Sequence, residues 1–452
     1  MSRKSSVIVA VAGAAIAAGA AYALMLRPPD LKLTTQCGTE SGTGCAPENK
    51  RVDLVQPSFS NPTNITNPLF PASEVVQTLL LGNVDGHPLR VEYTLLPGTK
   101  AIEWNGQAVE TRIVQYVAYL DRRIEEVALD WYAQADDGSV WYFGEDVSNY
   151  RDGVVENTEG TWLAGKDGPP AMIMPAHPQV GDVYRVENIP GVVFEEITVK
   201  SVGRTVDGPH GPVTGAMVGD QFHVDGSHSD KTFAPGYGEF STERGGDIEA
   251  VSVAVPIDAL SGPVPAELET VLVGATSIFE TVRGENWAAV SATLKAMNSA
   301  WDTFRTRGAV PILLDVQMNR ALAALAGDAL SPAVNHRNVA GARKAAIDVG
   351  QAGLDLMLRH RPPSEIDLAR LELWARQLLV DAGSEDPGAP VIGDVASLER
   401  IRDRIAHTLQ SSDAETLDAL LGELRTAAAD HEFVEAAAAA ARLRALVQRL
   451  TK

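Results

Sequence analysis

Asp130-Trp131-Tyr132-Ala133-Gln134-Ala135-Asp136-Asp137-Gly138-Ser139-Val140-Trp141-Tyr142-Phe143-Gly144-Glu145-Asp146 decides the fold class of the middle of the chain. Aromatic and β-branched residues, which fit a pleated sheet, stand on both sides of Asp136-Asp137-Gly138. An Asp-Gly step between two such runs is a strong hairpin signal. A connection this short makes the two strands antiparallel neighbours. The same pattern repeats outward over residues 75–81, 89–95, 111–119, 124–133, 139–143, 192–201 and 249–255, with Asp152-Gly153 as another turn. Residues 71–256 therefore read as an antiparallel β-rich domain: a curved sheet, a partial barrel or a sandwich.

Between Pro256 and Pro265 the composition changes, and beyond it Ala and Leu recur at helical spacing. A helix is expected to open near Pro265. Further helices are expected near 286–306, 311–328, 333–360, 364–383, 393–410 and 413–450. Asn286 and Ser364 are the expected N-caps and Gly308 a stop. Short loops between helices make residues 265–452 an up-and-down bundle, and the whole chain an α+β multidomain protein. Asp348 and Asp355, seven apart on one helix, share a face and need partners if it is interior, with Arg370 or Arg376 as candidates. His431 and Glu435 lie four apart, but the paired Glu-x-x-His motifs of di-iron bundles are missing.

Upstream, Arg3 and Lys4 precede an apolar run over residues 7–26 that ends at Arg27-Pro28-Pro29. Its length matches a ~30 Å hydrocarbon core, and the positive flank places the N-terminus in the cytoplasm. Residues 1–27 are thus a membrane anchor, leaving a single-pass protein with its C-terminal part outside, or a signal peptide cleaved near Ala23 within Ala21-Tyr22-Ala23. Residues 28–70, rich in Pro, Thr, Ser, Asn and Gly, read as an extracytoplasmic linker. In that compartment Cys37 and Cys45 are expected to form a disulfide-closed loop. Hydrophobic residues make up 45% and charged residues 21%, so packed cores are feasible; a net charge of −21 argues against nucleic acid as a partner.

Several of these segments together carry a resemblance. The stretches at 130–134 and 137–146 are joined by Gly160-Thr161-Trp162, Ala164-Gly165, Met174-Pro175-Ala176, Val180-Gly181-Asp182-Val183-Tyr184-Arg185 and Ala234-Pro235-Gly236-Tyr237-Gly238. Upstream stands Ile65-Thr66-Asn67-Pro68-Leu69-Phe70-Pro71. The set resembles a family of exported bacterial proteins to which no activity is assigned. The resemblance implies an exported β-rich module and brings no catalytic residues with it. Asp367, Arg370-Leu371, Trp374-Ala375-Arg376-Gln377 and Val380-Asp381 resemble C-terminal helical bundles of other exported proteins, also without an assigned role.

Three chemistries stay open. Trp131, Tyr132, Trp141, Tyr142 and Trp162, with Phe143 nearby, are dense for a chain with 6% aromatics, and they are candidates to line a groove for a lipid, a sugar or a hydrophobic peptide. In this reading Trp131 and Trp141 lie near one another, with Tyr132 and Tyr142 on the opposite face. Met172, Met174 and His177, with His223 and His228, are a candidate soft-ligand set for copper. Asp130, Glu145, Asp146, Glu156 and Glu159 offer carboxylates for an envelope-polymer hydrolase, if two of them face each other across a cleft. Nucleophile-elbow, P-loop and His-Glu-x-x-His motifs are absent from the sequence. The expectation is a non-catalytic envelope protein whose β domain binds a small ligand or a protein partner.

Overall fold

A computed structural model describes residues 37–308, 310–330 and 338–451, with the side chains of 329 and 330 excepted. The apolar run over 7–26 and the Ala21-Tyr22-Ala23 site lie outside the described residues. Among the described residues no helix is long and apolar enough to cross a membrane. The chain divides into two compact units. Residues 37–150 with 155–251 form the first, and residues 151–154 with 252–451 the second.

The first unit is built on one large antiparallel sheet. Strands β1 (Gln77–Val84), β2 (His87–Trp104), β3 (Gln107–Leu120), β4 (Arg123–Gln134) and β5 (Val140–Arg151) run as a meander. Three short strands follow: β6 (Val154–Asn157), β7 (Trp162–Leu163) and β8 (Ala171–Met174). A second meander holds β9 (Val183–Ile189), β10 (Val193–Gly208), β11 (Gly211–His223), β12 (His228–Ala234), β13 (Gly238–Arg244) and β14 (Asp247–Val255). Strand β14 lies beside β1 and joins the two meanders. At the far ends, β8 pairs with β5 and packs against β9, so the sheet curls back on itself. Strands β6 to β9 and β11 to β13 lie within the expected β-rich stretch but are not among the runs singled out in the sequence.

The β4–β5 turn is where the sequence placed it. Ala135 N–H donates to Ser139 O at 2.8 Å and Gly138 N–H to Ala135 O at 2.9 Å, with Gly138 at φ +94. The Asp136 carboxylate accepts from the Ser58 hydroxyl at 2.9 Å and from the Ser60 amide at 2.8 Å. Those bonds, the Ser60 amide foremost, hold its pKa below the usual carboxylate value. Much of the expected linker is therefore part of the unit. Ile65 is fully buried, and Phe59 and Asp53 are buried too. Thr66 and Asn67 donate backbone N–H groups to Gln134 Oε1 at 2.8 and 2.9 Å. Asn67 Nδ2 donates to Gly138 O at 3.0 Å and Pro175 O at 3.1 Å. The polar, Pro-rich composition reflects a segment that packs by capping strands and turns, which is why it reads as a linker. The Cys37–Cys45 disulfide is present.

The second unit carries eight α-helices among its described residues: α1 (Ala266–Thr281), α2 (Trp287–Arg307), α3 (Ile312–Leu330), α4 (Val339–Met357), α5 (Pro363–Asp381), α6 (Gly388–Ile405), α7 (Ser411–Ala429) and α8 (Phe433–Leu450). Asn286 caps α2 by accepting from Ala289 N–H, and α2 ends at Gly308. Ser364 is not a cap: α5 opens one residue earlier, at Pro363, whose missing N–H is tolerated in a first turn. The single helix expected over 413–450 is two, broken where His431 takes φ +58. Asp355 is fully buried and receives Arg370 Nη2 at 2.9 Å, Gln317 at 3.0 Å and Gln351 at 2.9 Å. Arg370 also reaches Asp367 at 2.7 Å. Of the two arginines expected to serve, Arg370 does; Arg376 bonds Glu372 and Thr276 instead.

Candidate functional site

The geometry of the β4–β5 pair decides what faces the interior of the curled sheet. Asp130 pairs with Glu145 and Tyr132 with Tyr142, so β5 carries one residue more than β4 between these pairs. Such a bulge lets two residues three apart in sequence share a face. Gly144, at φ +119, provides it, and a Cβ there would stand 2.2 Å from the Trp162 carbonyl oxygen. The result places Asp130, Tyr132, Tyr142 and Glu145 on one side. The Tyr132 and Tyr142 rings stack with centroids 4.7 Å apart, and Tyr142 Oη donates to Asp130 Oδ1 at 2.8 Å.

Asp130, Tyr132 and Tyr142 help wall a cavity of about 90 Å³. Its lining draws on strands distant in the sheet order: Thr78 from β1, Tyr93 from β2, Ile173 from β8, Glu187 from β9, Glu195 from β10, Lys231 and Phe233 from β12, and Glu239 from β13. Three segments of the resemblance meet here. Phe70 and Pro71 come from the 65–71 stretch, Tyr237 and Gly238 from the β12–β13 turn, and Asp130, Tyr132 and Tyr142 from the hairpin. Gly236 N–H donates to Pro68 O at 2.9 Å, which ties the first two together.

The interior is rich in ionisable groups. Burial pushes Asp130 up to about 7, against hydrogen bonds from Tyr142 and Tyr132 that favour the charged form. Burial, with the Glu195 charge, takes Glu187 up to about 8, although Glu145 and the Trp162 indole both hydrogen-bond it. Trp162 Nε1 donates to Glu187 Oε1 at 3.0 Å. Glu145 is raised well above the carboxylate range by burial and by Glu187. Burial likewise raises Glu126 and Glu249. Glu195 runs the other way: burial opposes its charge, but His223, Lys231 and Gln221 outweigh burial and lower its pKa. His223 Nδ1 lies 3.2 Å from Glu195 and its Nε2 2.9 Å from Ser229. Lys231 sits 2.9 Å from Glu239, and the surrounding carboxylates outweigh its burial and hold it charged. Tyr93 Oη, which lines the cavity, has no hydrogen-bond partner among the described residues.

Of the aromatic candidates, Tyr132 and Tyr142 line the cavity, and Trp162 supports it from behind, edge-on to Tyr142 at 5.5 Å. Trp131 and Trp141 do not. Lys100 Nζ lies 3.1 Å from the Trp131 ring centroid, while Trp141 is fully buried and pairs across the sheet with Ala133 and Met172. Trp141 stands opposite Ala133, on the turn side of the bulge, so Trp131 and Trp141 share a face without pairing directly, and Tyr132 and Tyr142 share the other face, as alternation requires. Met172 and Met174 are core residues on β8, and His177 is exposed. His223 is engaged as described, and His228 stacks on Phe222 with its Nδ1 2.8 Å from Asp220. Among the described residues there is no group of three or more His, Cys, Asp or Glu placed to hold a metal ion. Glu145 and Asp130 do reach the interior; Glu156 and Glu159 stay on the periphery, with Asp146 exposed.

Sequence reasoning missed Tyr93, Glu187, Glu195, Lys231 and Glu239. Alternation was visible around Tyr184-Arg185-Val186-Glu187 and Phe194-Glu195, but polar positions on a half-buried strand are ordinarily assigned to solvent. No protein-family model matches this chain, and no curated protein matches it.

Proposed function

We propose that the β-rich unit is a barrel whose interior binds a small molecule, in a protein exported to the cell envelope and held there by its N-terminal segment or released from it. The observation that carries this reading is the cavity, walled by tyrosines and by ionisable side chains from strands all around the sheet. Ligand sites are typically concave and apolar, with a few convergent polar groups. Groups whose pKa values are displaced by burial cluster in such sites more often than in structural cores. Tyr93 Oη is an unsatisfied polar atom inside the protein, which costs about 1–3 kcal/mol unless something bonds to it. The helical unit fits a supporting or interaction role, and the excess of acidic residues fits a soluble exported surface.

The test is a thermal-shift screen of the purified protein against cationic, neutral and anionic small molecules, repeated with Tyr132→Leu. Hits that raise the melting temperature of the native protein and lose their effect in the variant support the reading. A screen in which no class of compound shifts the native protein contradicts it.

A further inference from the structure

Resting on that reading, we infer that the cavity takes a small organic cation: an ammonium group carried on a short apolar body.

Four carboxylates line the cavity: Asp130, Glu187, Glu195 and Glu239. Lys231 is the basic side chain among the lining residues, and Glu239 at 2.9 Å already neutralises it. An anion entering here would meet an excess of negative charge. A cation would find acceptors left open. Glu187 is 2% exposed; its Oε1 accepts from Trp162, and its Oε2 faces no partner among the described residues but the Glu145 carboxyl. Asp130 accepts from Tyr142 and has lone pairs to spare. The apolar part of the ligand meets Phe70, Phe233 and the Tyr93, Tyr132 and Tyr142 rings, whose faces attract cations. A cavity of about 90 Å³ matches a small organic cation of the choline or butylamine class and not a larger ligand.

The same geometry makes binding expel protons. Near neutrality Asp130, raised to about 7, is about half protonated and Glu187, raised to about 8, largely so; a cation beside them favours the ionised form. Facing them are Glu145 and Tyr142 on β5, Glu126 and Tyr132 on β4, Glu195 on β10, Lys231 on β12, Glu239 on β13 and Glu249 on β14. Asp130, raised to about 7, and Glu187, raised to about 8, are the lining carboxyls whose protons a cation would displace near neutrality.

Isothermal titration of the full chain with choline and with butylamine tests this, using the uncharged isosteres 3,3-dimethyl-1-butanol and butanol, and butyrate as the anion. Choline carries its charge at every pH, so its pH dependence reports the protein. The expected result is saturable binding of the cations, at least about tenfold tighter at pH 8.5 than at pH 6, with protons released in proportion to buffer ionisation enthalpy. Glu187→Gln is expected to weaken binding about tenfold and reduce proton release. Should the isosteres or butyrate bind as tightly as the cations, the barrel remains a binding protein and the cation assignment is overturned. If nothing in the panel binds, the cation assignment is likewise overturned, and the thermal-shift screen then decides whether the wider reading survives.

Discussion

Gly144 has the clearest role of any single residue. Its positive φ and the Trp162 carbonyl 2.2 Å from where a Cβ would stand leave no room for a side chain. The bulge it forms turns both Tyr142 and Glu145 inward. Gly144→Ala is expected to cost at least ~2 kcal/mol of stability in the β-rich unit, measured by urea denaturation, because strain and a backbone clash coincide. A cost near zero would mean that the bulge is dispensable. In the helical unit, Arg370 is 1% exposed and lies between Asp355 and Asp367. Arg370→Leu is expected to destabilise that unit by roughly 3–5 kcal/mol, since two carboxylates lose a buried partner. The spacing of Asp348, Asp355 and Arg370 already pointed to such a pair. The glycine was quoted as part of a motif, but its consequence for register was not legible, because a bulge leaves no periodic trace in a single sequence.

At the scale of elements, turn chemistry and helical period were readable, and the direction of strand faces was not. Asp136-Asp137-Gly138 and Asp152-Gly153 fall in turns as the residue types require. Strands β11 to β13 were missed because their polar residues point into an enclosed interior, where Gln221, His223, Ser229 and Lys231 find one another and Glu195. Period-two alternation identifies two faces; it does not say which one the sheet curls around. The unbroken helix expected over 413–450 failed for a different reason. Its alanine-rich composition propagates helix well, but α7 and α8 pack on each other, and the chain must turn between them. His431 makes that turn in the left-handed region, which costs a non-glycine residue about 1 kcal/mol. His431→Gly is expected to stabilise the helical unit by up to ~1 kcal/mol in thermal or chemical unfolding, less whatever the edge-on contact with Phe433 contributes. A loss of more than ~1 kcal/mol would show that the imidazole holds the turn.

At the scale of the whole molecule, the interior carboxyls set the pH response. Asp130 and Glu187 have folded pKa values raised to about 7 and about 8, above those of an unfolded chain. Between pH ~4 and those values the folded state holds more protons than the unfolded one. Their contribution to stability is complete below about pH 4 and is lost as pH rises through 7 to 8. The β-rich unit is therefore expected to unfold at progressively lower urea concentration from pH 5 to pH 8, and Asp130→Asn with Glu187→Gln is expected to flatten that slope. Glu195, with its lowered pKa, acts oppositely and only in more acid solution, so it does not mask the trend. A bound cation would offset the loss at neutral and alkaline pH.

A binding role requires that the inside of the curled sheet be a chamber and not merely an imperfectly packed core. Diffraction from crystals soaked at pH 8.5 with choline tests this most directly. The expected result is ligand density enclosed by Tyr93, Asp130, Tyr132, Tyr142 and Glu187, with the ammonium against the carboxylates. Side chains collapsed into that space with no ligand present, or choline seen at the protein surface alone, would contradict the account.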